Sequence, residues 1–476
     1  MKSAIIILTS CFMLNGALAQ HSDLLRDEQG RHIIPRGFVI NTENQKGDIY
    51  YTPDDYHRMV RMGANFQVIR LKLGRLGGYP GNEVEESYIL HLDSLVQMGK
   101  NAGIKTDFKM TVYGTRGFSW DGFWRNENGE INHLISAWKS LWDRYRDEPA
   151  VFGYDLLNEP MKGGLDISYE KMESAYLVPL YIRLMDVCQQ INPQKKILFQ
   201  PLCIPISPDW KEYLPPFIRM QTPINRKNII YAPHIYEGDP SRIPKWIERY
   251  QMDAAISGAP LFIGEWGAAT FDRVDSSVTW QHHFIDFYIE TVRIFDSLGL
   301  GSIKPWFTGT TAKYERPDWE GWDKEWWQAP YTWSIFKDNR NVGTVERKYI
   351  TDIIARPYPQ TIAGKIDSYR FDFPTRSLDV HLKTDNSKGA SRIFIGADRH
   401  YPDGFSVICN DVFILYHNPL KNIGLEVLST DRSSNPEDFI WNPDRQQLII
   451  LKWPEDKTDL HLTIEPGIRH DPPHGF

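Results

Sequence analysis

Two glutamates stand where an apolar strand has no packing use for them. Glu159 closes the run VFGYDLLNEP (151–160), with Asn158 before it and Pro160 after it, and Glu265 interrupts PLFIGEWG (260–267). Burying an unpaired carboxylate is costly, so such a residue is either left in solvent or aimed at something. Other apolar runs end in the same way. Arg70 lies in FQVIRLKL (66–73), Lys109 in IKTDFKMTV (104–112), His234 and Tyr236 in NIIYAPHIY (228–236), and Trp306 in GSIKPWFTG (301–309). Paired carboxyl groups with donors and an indole around them fit glycoside hydrolysis: one acid protonates the leaving oxygen while the other attacks or stabilises the anomeric carbon. A cation and a phenol, Arg70 and Tyr236, are placed to keep Glu265 ionised as a nucleophile. Glu159, beside Asn158 and near His234, is left as the general acid. Asn158 suits the sugar 2-hydroxyl, and Trp306 offers a flat face for the ring in the cleaved subsite.

These residues converge only if the runs are parallel strands of one barrel. With HIIPRGFVI (32–40), VFGYDLLN (151–158) and KKILFQPL (195–202), there are eight runs, and their apolar residues are continuous rather than alternating, as strands covered on both faces require. Amphipathic stretches separate them, such as SYILHLDSLVQMGKNAG (87–103), with Gly103 as its stop. Eight strand-then-helix units predict a (β/α)8 TIM barrel, whose active site lies at the C-terminal strand ends. A doubly wound sheet would need a glycine-rich turn after its first strand, and FVINTENQKG has none. The last barrel helix is expected over 344–355, with Val345, Tyr349 and Ile353 on one stripe, ended by RPYPQ. Short strands at roughly ten-residue spacing follow, which predicts a C-terminal antiparallel β-sandwich. The expected domains are a signal peptide over 1–19, a catalytic barrel over 20–357 and a sandwich over 365–476, the last two packed directly on each other.

Composition bounds the partners. Formal net charge is −7, so there is no basic footprint for nucleic acid. Aromatic residues reach 13% with 16 Trp, material for sugar stacking as much as for a core. The first twenty residues have a positive start at Lys2, an apolar run and the small-residue sequence ALA before Gln20, the pattern of a secretory leader cleaved near Ala19. The expected location is therefore secreted or periplasmic, with a lipid-attachment box at Cys11 as the alternative. Cys188, Cys203 and Cys409 make no disulfide framework, and no CxxC or HExxH spacing marks a zinc site, so no metal or cofactor is expected. No GxSxG elbow supports a serine hydrolase.

LLNEP, HIY, FIGEWG and Trp306, in this order along the chain, resemble glycoside hydrolase family 5, a retaining family whose barrels carry catalytic Glu on strands four and seven. The resemblance implies Glu159 as acid/base and Glu265 as nucleophile. ARPYPQTIAG (355–364), followed by a sandwich, is similar to the linking segment of the endoglycoceramidase-like branch, which implies a secreted enzyme on glycolipids or related β-glycosides. The expected partner is a carbohydrate or glycolipid, met at a membrane surface when lipid-borne, and the expected state is a monomer. One position departs from the family. Where relatives place His on strand three, TDFKMTVYG places Lys109. Either Lys109 pairs with Asp107, or it reads an anionic group on the substrate as a compact cation with three donors. Two long loops, 114–130 with Arg116, Trp120, Trp124 and Arg125 and 314–333 with Trp319, Trp322, Trp326 and Trp327, are expected to set specificity. An endo-β-glucanase or other glycanase is the second reading, and a non-catalytic carbohydrate-binding barrel the third.

Overall fold

The computed structural model describes residues 25–44, 47–78, 83–114, 117–203, 218–236, 239–267, 270–271, 278–307, 331–332, 334–336, 345–410, 413–419, 425–430, 435–455 and 458–467. The leader, Cys11, Arg116 and the four tryptophans expected over 314–333 lie outside the described residues.

Eight parallel strands form the barrel: β1 (Arg36–Asn41), β2 (Phe66–Lys72), β3 (Lys105–Thr111), β4 (Val151–Asp155), β5 (Lys196–Phe199), β6 (Ile229–Tyr231, resuming at His234–Tyr236), β7 (Glu265–Gly267) and β8 (Ser302–Lys304). One continuous sheet runs β8-β1-β2-β3-β4-β5-β6. The circle closes through β7, by the His234–Tyr236 pairing and by parallel bridges from Leu261 to Tyr231 and from Ile263 to Ser302. Helices α1 (Pro53–Arg61), α2 (Glu86–Ala102), α3 (Glu130–Arg144), α4 (Val178–Ile191), α5 (Ile243–Ile256), α6 (Val278–Ser297) and α7 (Lys348–Ile354) lie between and after the strands. Thr52 caps α1 in a reciprocal box with Asp55, and α2 stops at Gly103, whose φ of 68° is the left-handed turn glycine adopts without strain. The described part of α7 starts at Lys348 rather than at 344, and Val345 is exposed rather than on its buried stripe.

The strands bury both faces, as their continuous apolar runs demand. Val39, Phe66, Val68, Phe152, Leu198, Ile230, Phe262 and Ile303 fill the lower barrel interior, and a larger cluster packs the strands against the helices. Above that plug the interior turns polar. Register sets Arg70 opposite Lys109 and Lys109 opposite Asp155 on β2, β3 and β4, and His234 opposite Glu265 on β6 and β7.

The C-terminal region is a β-sandwich with its own core, including Val380, Ile393, Phe405, Val407, Leu415 and Leu462. One sheet joins Gly364–Asp372, Ser377–Thr384, Asp459–Pro466, Phe405–Cys409, Phe413–His417 and Leu425–Thr430 in that order. The other joins Tyr358–Ile362, Ser391–Phe394, Gln447–Ile450 and Phe439–Asn442, and its outermost strand is His32–Ile33 from the start of the described chain. HIIPRGFVI is therefore two strands. His32 pairs opposite Ile362 in the sandwich, Pro35 interrupts the run, and β1 begins at Arg36 in the barrel. The seam between the two domains is not purely apolar: Asp296 of α6 takes Arg36, Arg356 and the Tyr369 hydroxyl on its carboxylate.

Candidate active site

Asn158 and Glu159 follow β4 after Leu156 and Leu157, at the C-terminal rim. Asn158 N–H donates to the Met110 carbonyl at 2.8 Å, and Glu159 N–H to Gln200 Oε1 at 3.0 Å. Glu159 takes φ 46°, a left-handed conformation that a side chain other than Asn or Gly enters only when its surroundings impose it. Such a residue at a strand end marks a functional position. Glu265 begins β7, 7% exposed at its side chain against 23% for Glu159. A carboxylate oxygen of each and a ring nitrogen of His234 all lie within 4.8 Å of one another. Retaining pairs have carboxyl groups about 5–5.5 Å apart, while inverting pairs stand roughly 6.5–9.5 Å apart to admit a water.

Lys109 joins the two carboxylates, and its contacts correct the sequence expectation. It makes no ion pair with Asp107, and protein acceptors surround its ammonium. Its Nζ donates to Glu265 Oε1 at 2.8 Å, to His234 Nε2 at 3.1 Å and to the Gly264 carbonyl at 3.4 Å. An ammonium has three N–H groups, and all three are taken. The side chain is also 0% exposed, so no donor remains for a sugar substituent. Gly264 makes room for this arrangement: a Cβ there would meet the His234 ring at 3.2 Å and the Ala232 carbonyl at 2.9 Å.

The lysine fixes the histidine. An ammonium cannot accept, so His234 Nε2 presents its lone pair to Lys109 and Nδ1 carries the hydrogen. Nδ1 then donates to Glu159 Oε1 at 2.9 Å. The result is one chain of hydrogen bonds, Glu265–Lys109–His234–Glu159.

Arg70 differs from expectation as well. Its Nε donates to Thr111 Oγ1 at 3.0 Å and an Nη to the Tyr113 hydroxyl at 2.9 Å, with no ion pair to Glu265. The cation that touches Glu265 is Lys109, and the Tyr236 hydroxyl donates to the other oxygen, Oε2. Burial would raise the Glu265 pKa, but the Lys109 charge and hydrogen bond, with Arg70 beyond, hold the carboxyl well below the usual range. Burial pushes Asp155, below Lys109, up to about 6, despite the 4.0 Å approach of that lysine and a bond from Gln200 Nε2 at 2.6 Å.

Tyr113 is a site residue that sequence reasoning missed. Its hydroxyl accepts from Arg70 and, at 2.6 Å, from Asn158 Nδ2, and donates to Glu159 Oε2 at 3.5 Å. Its position two residues past β3, in TVYG, was the available signal. Asn158 Oδ1 is buried without a protein partner among the described residues. The half-buried Trp306 packs on the apolar plug of the barrel interior. In the 114–130 loop Trp124 is a buried prop whose Nε1 donates to the Met161 carbonyl at 2.7 Å, while Arg125 pairs with Glu127 in solvent. Trp120 stacks on Trp124 and approaches Tyr113 at 6.4 Å between ring centroids, which leaves it as the site-facing indole of that loop. Glu159, His234 and Glu265 could group around a cation, but Lys109 already fills that role between the last two.

Comparison with known proteins gives the family and the fold. The family profile Cellulase (glycosyl hydrolase family 5) matches residues 27–296, and the Glycoside hydrolase family 5 C-terminal domain matches residues 356–464. Endoglycoceramidase I of Rhodococcus hoagii (strain 103S) is 24% identical over 298 residues, 60% of this chain but 53% of that protein, so the match spans about half of the relative's length. Endoglycoceramidase of Cyanea nozakii is 21% identical over 381 residues, 75% of this chain and 67% of that protein. Endo-glycoceramidase II from Rhodococcus sp., solved as a lactosyl-enzyme intermediate, superposes with a TM-score of 0.66 at 18% identity, covering 94% of this chain and 100% of that one, a likeness of fold. With one profile across most of the barrel and the other across the sandwich, the chain belongs to glycosyl hydrolase family 5.

Proposed function

We propose that this enzyme is exported and cleaves glycolipid-type β-glycosides by double displacement, with Glu265 as nucleophile and Glu159 as acid/base. The observation that carries the mechanism is the close carboxyl pair in which only Glu265 bears a cation. Glu265, held ionised by Lys109 and Tyr236, attacks the anomeric carbon as the bond to the leaving oxygen breaks. Glu159 gives its proton to that oxygen, then takes one from the water that attacks the glycosyl-enzyme ester and releases Glu265. His234 engages Glu159 Oε1 at 2.9 Å while Tyr113 reaches Oε2 only at 3.5 Å, which makes Oε2 the oxygen to face the leaving group. Asn158 Oδ1 accepts from the sugar 2-hydroxyl, and Trp306 stacks on the ring in the cleaved subsite.

The named endoglycoceramidases, and the fold shared with endo-glycoceramidase II, support a glycolipid substrate. The leader-like residues 1–19 support export. An endoglucanase from Paenibacillus polymyxa, 23% identical over 252 residues, favours the polysaccharide reading in second place. Product masses from a glycosphingolipid, a soluble β-glucan and an aryl β-glycoside separate them. Release of intact oligosaccharide and ceramide supports the proposal, whereas shortened glucan with untouched glycolipid replaces it with the second reading.

A further inference from the structure

The backbone of Asn158, Glu159 and Pro160 is tied at three points, and the middle one is tied by a side chain. Asn158 N–H donates to the Met110 carbonyl at 2.8 Å, and the Pro160 carbonyl accepts from Cys203 N–H at 2.7 Å, both main-chain contacts. Between them Glu159 N–H donates to Gln200 Oε1 at 3.0 Å. Glu159 is also the residue at φ 46°, a backbone state that persists for a glutamate only where its surroundings over-determine it.

Gln200 is held in one orientation. It follows β5 directly and is fully buried. The Tyr181 hydroxyl of α4 clamps its main chain, accepting from Gln200 N–H at 3.3 Å and donating to the Gln200 carbonyl at 2.9 Å. A backbone N–H can only donate, so Glu159 N–H must meet the oxygen end of the Gln200 amide. The nitrogen end then faces Asp155, the last residue of β4, and donates to its Oδ2 at 2.6 Å. Asp155 is itself buried, with Lys109 Nζ at 4.0 Å. A flipped amide would set nitrogen against the Glu159 N–H and oxygen against the Asp155 carboxylate, and unpaired polar groups are costly in such a dry place.

We infer that Gln200 is a positioning residue for the acid/base, with Asp155 as the group that locks its amide; the inference rests on the assignment of that role to Glu159. Gln200 acts through the Glu159 main chain, while His234 holds the carboxyl end through Oε1.

The test compares kcat/KM on aryl β-glycosides of one sugar whose leaving phenols run from strongly to weakly acidic. Gln200→Met has similar length and no amide. It is expected to lose roughly tenfold to a hundredfold on the poorest leaving group and little on the best, because a misplaced general acid forfeits part of the roughly 10²–10⁴ it supplies. Gln200→Glu keeps an acceptor for Glu159 N–H but sets a second carboxylate against Asp155, and is expected to show the same selectivity. Adding Asp155→Asn restores a donor–acceptor pair of reversed polarity and is expected to recover most of that loss. A merely structural role would lower all leaving groups alike and give no such rescue. If Gln200→Met does not fold, Gln200→Glu with and without Asp155→Asn decides. A uniform loss, no loss, or a double variant no better than Gln200→Glu overturns the inference. Glu159→Ala on the same series separates the two readings. An even loss there overturns the assignment of the acid itself, whereas a selective loss there beside an even one in Gln200→Met overturns the positioning role alone.

Discussion

Replacing Lys109 with Met isolates the contact that sets the nucleophile apart from its partner. The substitution keeps most of the stem and removes the ammonium that lies 2.8 Å from Glu265 and 3.1 Å from His234. A hydrogen bond to a charged group is worth roughly 1.5–3 kcal/mol, which is about one to two pH units on the acid it holds. Glu265 now stays ionised far into acid, so the acidic limb of kcat/KM lies below the ordinary carboxylate range. Without Lys109 the limb is expected to move up by those one to two units, and kcat/KM near neutrality to fall about tenfold to a hundredfold. A second effect follows from the histidine. With no ammonium against Nε2, the hydrogen is free to leave Nδ1, and Glu159 loses its 2.9 Å donor. The assay is the pH profile of kcat/KM on a neutral aryl β-glycoside and on a sialylated glycolipid. Equal losses on both, with a shifted limb, are the expected result. A loss confined to the anionic substrate, or a limb that does not move, refutes the positioning role.

Glu265→Ala is expected to abolish turnover of every substrate, whereas Glu159→Ala is expected to spare activated aryl leaving groups, which need little protonation; equal losses on good and poor leaving groups would reverse or void the assignment. The buried His32 and His400, pulled by burial to about 3 and about 4, titrate near 6.5 when unfolded. Their folded values are depressed, so stability is intact above about pH 6.5 and drains as pH falls from there toward 4. His32→Asn, which keeps an acceptor for the Ile366 amide, is expected to lower that slope by up to about 1.4 kcal/mol per pH unit in urea melts at pH 7 and pH 5, and an unchanged slope excludes the histidine. A chain truncated after Ala363 is expected to be poorly soluble, because it strips Tyr369 from Asp296 and exposes Ile34, Tyr358 and Ile362; a soluble, active barrel from that truncation contradicts the account.

The barrel was legible because parallel strands covered on both faces leave continuous apolar runs, and a charged residue ending such a run is conspicuous. Glu159, Glu265, His234 and Tyr236 are visible on those grounds, and the structure brings them together. The partners of Lys109 were not legible. TDFKMTVYG gives the residue type, but its acceptors come from β6, β7 and the Gly264 carbonyl, on strands far along the chain, and no local periodicity encodes a contact across a barrel. Tyr113 escaped because a tyrosine just past a strand reads as an ordinary turn residue, and its three hydrogen bonds exist only once β2, β3 and β4 are in register. Gln200 and Asp155 were hidden inside apolar strands. The division of HIIPRGFVI between two sheets was equally hidden, since both halves have strand composition and Pro35 alone hints at the break.

That division has a kinetic consequence. A polypeptide is delivered N-terminus first, yet His32 pairs with Ile362, 330 residues further along the chain. Closing so long a loop is entropically demanding, and contacts of this separation slow folding. The opening segment must wait as a bare, pairing-ready strand until the sandwich exists, while β1, immediately after it, is already needed to start the barrel. The two-residue edge pairing therefore couples completion of the sandwich sheet to the segment that leads into the first barrel strand.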